Sequence, residues 1–182
     1  MQWVKSIKYL GVTILQAKEF KCNWDEAKRK LYCNANVIFG RLGTNTAPAV
    51  LLKLIYSQGV QNLLYGITAT SLSAGDLKSM CYAYDSMFYK ILNSYDKNVI
   101  FQCQYYSGYL SFNVLYELQR YMFLKKLFET SFIEIRSEID CVDVREFSFL
   151  KTNYKFMENV SKVKLKMKAW KVFEHCLGSI KA

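Results

Sequence analysis

The sequence predicts a mainly α-helical fold: a helical bundle with a short β-strand or hairpin at its N-terminal end. Three observations lead there. The 182 residues include a single proline, Pro48, whereas turn-rich β folds use proline and glycine freely as punctuation. Hydrophobic residues make up 52% of the chain and aromatics 16%, ample for a core and too many for a disordered chain. Most long stretches repeat their apolar residues at helical spacing, whereas IKYLGVTI at Ile7–Ile14 reads as a strand. As one strand, residues 7–15 put Leu10, Val12 and Ile14 on one face and Tyr9 and Thr13 on the other. Such a strand needs partners that the few residues before it cannot supply.

Asn23 with Glu26 three residues later forms a capping-box pattern, and a helix follows to about Arg41. Ala27, Leu31, Ala35, Ile38 and Leu42 form its apolar stripe. Gly43 closes it, and Pro48 sits in the first turn of the next helix. Leu51, Leu52, Ile55 and Val60 give that helix its apolar side, with Gly59 as an interruption. LLYGITATSL continues the helix to about Ser71. Ser73 caps a strongly periodic helix through Leu92, with Leu77, Met80, Tyr84, Met87 or Phe88 and Ile91 inward. Asn93–Gly108, heavy in Tyr and Gln, reads as a loop. Another helix begins after Ser111 and carries Leu115, Leu118, Met122 and Leu127. Phe132–Asn153 shows weak periodicity and receives no assignment. In the tail, Lys162, Lys164, Lys166 and Lys168 alternate with apolar residues like a strand, while Val163, Met167, Trp170, Phe173 and Leu177 fit a helical stripe. The helix-favouring residue types decide for helix.

Lys and Arg number 25 against 15 Asp and Glu, a formal charge of +10. That excess attracts polyanions, nucleic acid first and an acidic membrane surface second. The uncharged stretches Leu54–Gly75 and Asn98–Tyr116 carry several amides that hydrocarbon would penalise, so no membrane partner is expected. Six dispersed cysteines form no C-x-x-C pair, so a zinc ribbon or knuckle is not indicated, and buried or free thiols in a reducing, intracellular compartment, cytoplasmic or nuclear, are expected.

KYLGVTI, then the helix AKRKLYCNANVIFGRL, then LLYGITATSL resemble, in that order, the region after the polymerase active site in reverse transcriptases of non-LTR (LINE-type) retrotransposons. Tyr9, Leu10 and Gly11 match the strand that closes the palm in that family, and Leu63, Leu64, Tyr65 and Gly66 match a thumb motif. Gln61–Asn62 stand where the family has proline, and ITAT replaces its usual ending, as in a divergent copy. The resemblance spans Ile7 to Tyr95. It implies a palm-end β element over 1–20, a thumb-like helical region over 21–95 and a downstream helical region over 96–182, with fingers and most of the palm upstream.

In that family, carboxylates on an earlier strand and an aromatic-x-Asp-Asp hairpin hold two metal ions. No Asp-Asp pair occurs here, and Tyr82–Ala83–Tyr84–Asp85 sits inside a helical period. The expectation is therefore a non-catalytic fragment of an RNA-directed DNA polymerase, without a cofactor of its own. Mg2+ belongs only to a full-length parent. Lys28, Arg29 and Lys30 on the first helix are the candidates for phosphate contact with an RNA or DNA primer–template. The lysine ladder Lys162, Lys164, Lys166 and Lys168 could add phosphate contacts, with Trp170 stacking on a base; the alternative is an amphipathic tail packed by Trp170. The open strand also predicts self-association. The competing reading of the whole chain is an orphan helical protein-interaction domain with incidental charge.

Other chemistry finds little. His175 and Cys176 are sequence neighbours about 100° apart on a helix, poorly placed as base and nucleophile. Asp140 and Asp143 read as surface acids. GRLGTNT at residues 40–46 lacks the spacing and the lysine of a phosphate loop.

Overall fold

The computed structural model describes residues 4–18, 20–43, 46–70, 72–130, 141–156 and 162–180. They are mainly helical, with a small antiparallel sheet of three strands at the N-terminal end. The chain divides into two compact units, Met1–Leu92 and Asn93–Ala182.

In the first unit, β1 (Ser6–Tyr9), β2 (Val12–Leu15) and β3 (Lys21–Asn23) pair in that order. IKYLGVTI is therefore a hairpin, one of the two expected forms, and the faces drawn for a single strand over residues 7–15 are corrected. The chain reverses at Leu10–Gly11, where φ is +45° and +82°, the backbone of a two-residue type I′ turn. Tyr9 pairs with Val12 and Ile7 with Ile14, while Ile14 pairs with Cys22 on the other side. Tyr9 thus shares a face with Val12 and Ile14 rather than opposing them, because reversal of the chain resets the alternation. The sheet draws its strands from this chain alone, and β2 has a partner on each edge. The expected shortage of partners is confined to the outer edges of β1 and β3.

Helix α1 (Asp25–Leu42) follows at once. The Asn23 side chain accepts from the Asp25 backbone N–H at 2.7 Å, but no capping box forms, because the Glu26 carboxylate turns to Lys8. Leu31, Ala35 and Ile38 are buried as the stripe predicts, Ala27 only in part, and Leu42 is exposed at the helix end. Gly43, at φ +67°, donates its N–H to the Phe39 carbonyl and stops the helix. Pro48 opens α2 (Pro48–Ile55).

Beyond α2 the helix widens into a π-turn over Tyr56–Val60 before α3 (Gln61–Leu64). Gly59 is the reason this segment can lie on α1: a Cβ there would stand 2.7 Å from Leu31 Cδ1, and Leu31 is fully buried. The predicted helix through LLYGITATSL ends early. Tyr65 is extended, Gly66 is left-handed at φ +78° and ψ −19°, and a 3₁₀ turn covers Ile67–Ala69. Tyr65 and Gly66 have the dihedrals of a type II turn, whose third position calls for glycine.

Helix α4 (Ala74–Leu92) begins where Ser73 predicts. Ser73 Oγ accepts from the Asp76 N–H at 3.1 Å and donates to the Asp76 carboxylate at 2.6 Å. Met80, Ala83, Tyr84, Met87 and Phe88 are buried, and the helix packs on α1 and α2. Tyr82–Ala83–Tyr84–Asp85 is plain helix.

The second unit begins at Asn93. Asn93–Gly108 is not a loop: Asp96 caps α5 (Lys97–Tyr106), accepting from the Asn98 N–H at 2.8 Å. Its inner positions are Ile100 and Gln104, and a buried amide at a core position breaks the apolar period that would betray a helix. Helix α6 (Phe112–Glu129) buries Leu115 and Leu118 as expected, with Met122 and Leu127 half-buried. It also buries Phe112, Val114, Tyr116, Tyr121 and Leu124. Helix α7 (Cys141–Asn153) occupies the part of Phe132–Asn153 that lies within the described residues. The tail is helical, α8 (Lys162–Ile180), but its inner face is Leu165, Ala169 and Phe173. Val163 and Met167, predicted inward, are exposed, and the Leu177 side chain lies outside the described set. Helices α7 and α8 both pack on α6, and α5 packs on α8.

Candidate nucleic-acid interface

Two of the three segments that carry the resemblance, the first and the last, more than fifty positions apart in sequence, meet in space within the first unit. A Cβ at Gly66 would lie 2.8 Å from Val12 Cγ2 and 3.9 Å from the Trp24 ring, and one at Gly11 would lie 3.6 Å from Tyr65 Cε1. The hairpin turn and the type II turn therefore interlock over Trp24, which is buried. Tyr9, Leu10 and Tyr65 stay exposed around them, while Leu63 and Leu64 anchor the second turn in the core. Between the turns and α1 lies a cleft of about 330 Å³, bounded by Leu10, Gly11, Trp24, Glu26, Lys30 and Tyr65 among others.

The basic residues of α1 have different surroundings, because successive helical positions point about 100° apart. Lys28 Nζ lies 2.8 Å from Asp25 Oδ1 and donates to Ser79 Oγ on α4 at 2.9 Å, so it ties two helices together. Lys30 Nζ is 3.4 Å from Glu26 Oε1, which also accepts from Lys8 Nζ at 2.6 Å. The Lys8 bond is the main reason the Glu26 carboxyl sits below the ordinary range, and Lys28 does the same for Asp25. Arg29 is exposed and makes no ion pair or hydrogen bond with another described residue. Of the three, Arg29 has the freest charged group, and Lys30 lines the cleft.

The C-terminal lysines belong to the second unit. On a helix, residues two apart point about 200° apart, so Lys162, Lys164, Lys166 and Lys168 do not form one ladder. Lys164 and Lys166 are exposed. Lys168 Nζ donates to the Lys155 carbonyl just past α7. The Lys162 side chain lies outside the described set. Trp170 stacks on Tyr105 with ring centroids 5.5 Å apart and planes 17° apart. The Tyr105 hydroxyl donates to Glu174 at 2.9 Å, and that bond holds its proton on above the usual phenol range. One face of Trp170 is thus occupied by protein.

Among the described residues a buried polar cluster forms around Arg120, which the sequence pattern does not announce. Arg120, 2% exposed, donates from Nη2 to Asp143 at 2.7 Å and to Glu146 at 2.9 Å, with Nε also 3.1 Å from Glu146. Asp143 is therefore an ion-pair partner of a buried arginine and not simply a surface acid. Nearby, Tyr154 donates to Glu117. Asp143 and Glu146 are three apart on α7, a spacing that shares a helical face, but nothing local announces an arginine more than twenty residues away.

No three side chains of His, Cys, Asp or Glu converge as metal ligands among the described residues. Cys22, Cys33, Cys81 and Cys103 form no disulfide. His175 is exposed, while Asp140 and the Cys176 side chain lie outside the described set. Among the described residues no helix is long and apolar enough to cross a membrane. No family model matches the chain, and neither a curated protein nor a solved structure matches it.

Proposed function

We propose that the chain holds nucleic acid through its phosphates, as a non-catalytic module resembling the palm-end and thumb region of LINE-type reverse transcriptases. The observation that carries this reading is the interlock of the Leu10–Gly11 and Tyr65–Gly66 turns. Two short segments so far apart in sequence need not touch, yet each supplies a left-handed glycine to the same contact. The formal charge of +10 supports a polyanionic partner, a primer–template duplex of RNA or DNA. Arg29 and Lys30 are the phosphate-contacting residues of this proposal, with Lys164 and Lys166 as a second set. Lys28 and Lys168 contribute mainly by holding helices. Base stacking by Trp170 would be limited to the ring face that Tyr105 leaves open. In this reading the isolated chain extends no primer, and Mg2+ belongs to the polymerase site of a longer parent.

The test is a filter-binding titration of the chain with an RNA–DNA duplex in rising salt. Binding should weaken steeply with salt through counterion release, and Arg29→Ala should reduce the log–log slope by about 1. Absent binding at low salt, or salt-insensitive binding, overturns the proposal, as does primer extension by the purified chain.

The second reading, a helical protein-interaction domain, is favoured by the exposed apolar side chains of β1: Ile7 is 57% and Tyr9 63% exposed.

A further inference from the structure

We infer that Lys8 and Lys30 form an anion subsite beside the cleft, occupied by the chain's own Glu26 carboxylate, which a nucleic-acid phosphate displaces. The inference rests on the nucleic-acid reading and adds Lys8, on β1, to its phosphate contacts.

The geometry is that of a bound anion. One oxygen, Glu26 Oε1, lies 2.6 Å from Lys8 Nζ and 3.4 Å from Lys30 Nζ. The two ammonium groups come from different elements, β1 and α1, so only the folded chain brings them to one acceptor. Glu26 and Lys30 both line the cleft with Leu10 and Tyr65. The carboxylate is ionised there, because the Lys8 bond chiefly, and Lys30 after it, hold its pKa below the ordinary range.

The occupant is held loosely. The Lys8 and Lys30 side chains are 57% and 51% exposed, and ion pairs this open to water are individually weak. A duplex carries about one charge per 1.7 Å of its axis, so a single carboxylate competes with several phosphates. A duplex already in contact with the neighbouring Arg29 also presents its next phosphates at high effective concentration.

The adjacent ion pair behaves differently. Asp25 holds Lys28, but Lys28 also donates to Ser79 on α4, and its side chain is only 22% exposed. Removing the charge of Asp25 therefore releases no ammonium group to a phosphate. Asp25 and Glu26 are sequence neighbours of equal charge, so comparing them separates occupancy of a subsite from charge alone.

The experiment is the salt titration of the full chain with an RNA–DNA duplex, repeated on three variants. Glu26→Gln should tighten binding at low salt by about fivefold. It should also steepen the log–log slope by about 1 to 2, as Lys8 and Lys30 each become free to replace a counterion. Asp25→Asn should leave the slope unchanged. Lys8→Gln should remove about 1 from the slope in the Glu26→Gln background and much less in the unaltered chain, a non-additivity that identifies a shared subsite. Glutamine keeps an acceptor for both lysines, and urea melts of each variant check that the hairpin stays folded. Equal slopes for Glu26→Gln and Asp25→Asn, or additive effects of Lys8→Gln and Glu26→Gln, overturn the inference. Salt-dependent binding by the unaltered chain would then still uphold the nucleic-acid reading. Absence of binding by the unaltered chain and by Glu26→Gln alike overturns both.

Discussion

Gly66 approaches Val12 so closely that a Cβ at residue 66 would stand 2.8 Å from Val12 Cγ2, on a backbone already at φ +78°. Both facts oppose a side chain there. Gly66→Ala should cost about 2–4 kcal/mol, combining left-handed strain with overpacking. Gly40 is the internal comparison: it lies in α1 with nothing within 4 Å of its would-be Cβ. Gly40→Ala should stabilise by about 0.5–1 kcal/mol through helix propensity. Urea melts of the two variants should shift in opposite directions, and equal shifts would refute the interlocked turns.

The Arg120 cluster predicts an order of effects. Arg120→Met leaves Asp143 and Glu146 facing each other without a cation and should cost about 3 kcal/mol. Asp143→Asn keeps the Glu146 contacts to Nε and Nη2, so its loss should be about 1 kcal/mol. Chemical denaturation of both variants checks the order, and a reversal would mean that Glu146 holds the arginine only weakly.

Glu117 should make stability depend on pH. Burial is the main cause that lifts its carboxyl above the usual range, Glu146 adds to it, and the Tyr154 hydroxyl opposes it. Arg120 on its own helix and Asp143 and Glu146 on α7 are the charged groups of the same cluster. With the folded pKa above the unfolded one, the folded chain holds this proton more tightly. The stabilisation is fully present below the ordinary glutamate pKa and is lost as pH rises through the folded value. Glu117→Gln should thus gain on the unaltered protein as pH rises through that window, measured by urea melts at several pH values. A difference that does not change with pH would show that Glu117 does not titrate as the fold implies.

By itself the sequence determined the helical class and the ends of the long helices, because their signals are local. Gly43, Pro48 and Ser73 act on backbone groups within one turn, and Leu31, Ala35 and Ile38 repeat at a period that few other structures satisfy. It could not determine α5, since its inward Gln104 reads as polar until packing shows where it points. Nor could it set the rotation of α8. Val163–Met167–Trp170 and Leu165–Ala169–Phe173 are both apolar stripes, and the second faces inward; Phe173 lies against Phe101 with ring centroids 4.4 Å apart. The hairpin, the meeting of Gly66 with Val12 and the pairing of Arg120 with α7 were likewise decided by tertiary structure. A periodic pattern fixes which residues share a face, while the direction of that face depends on partners brought close only when the chain packs.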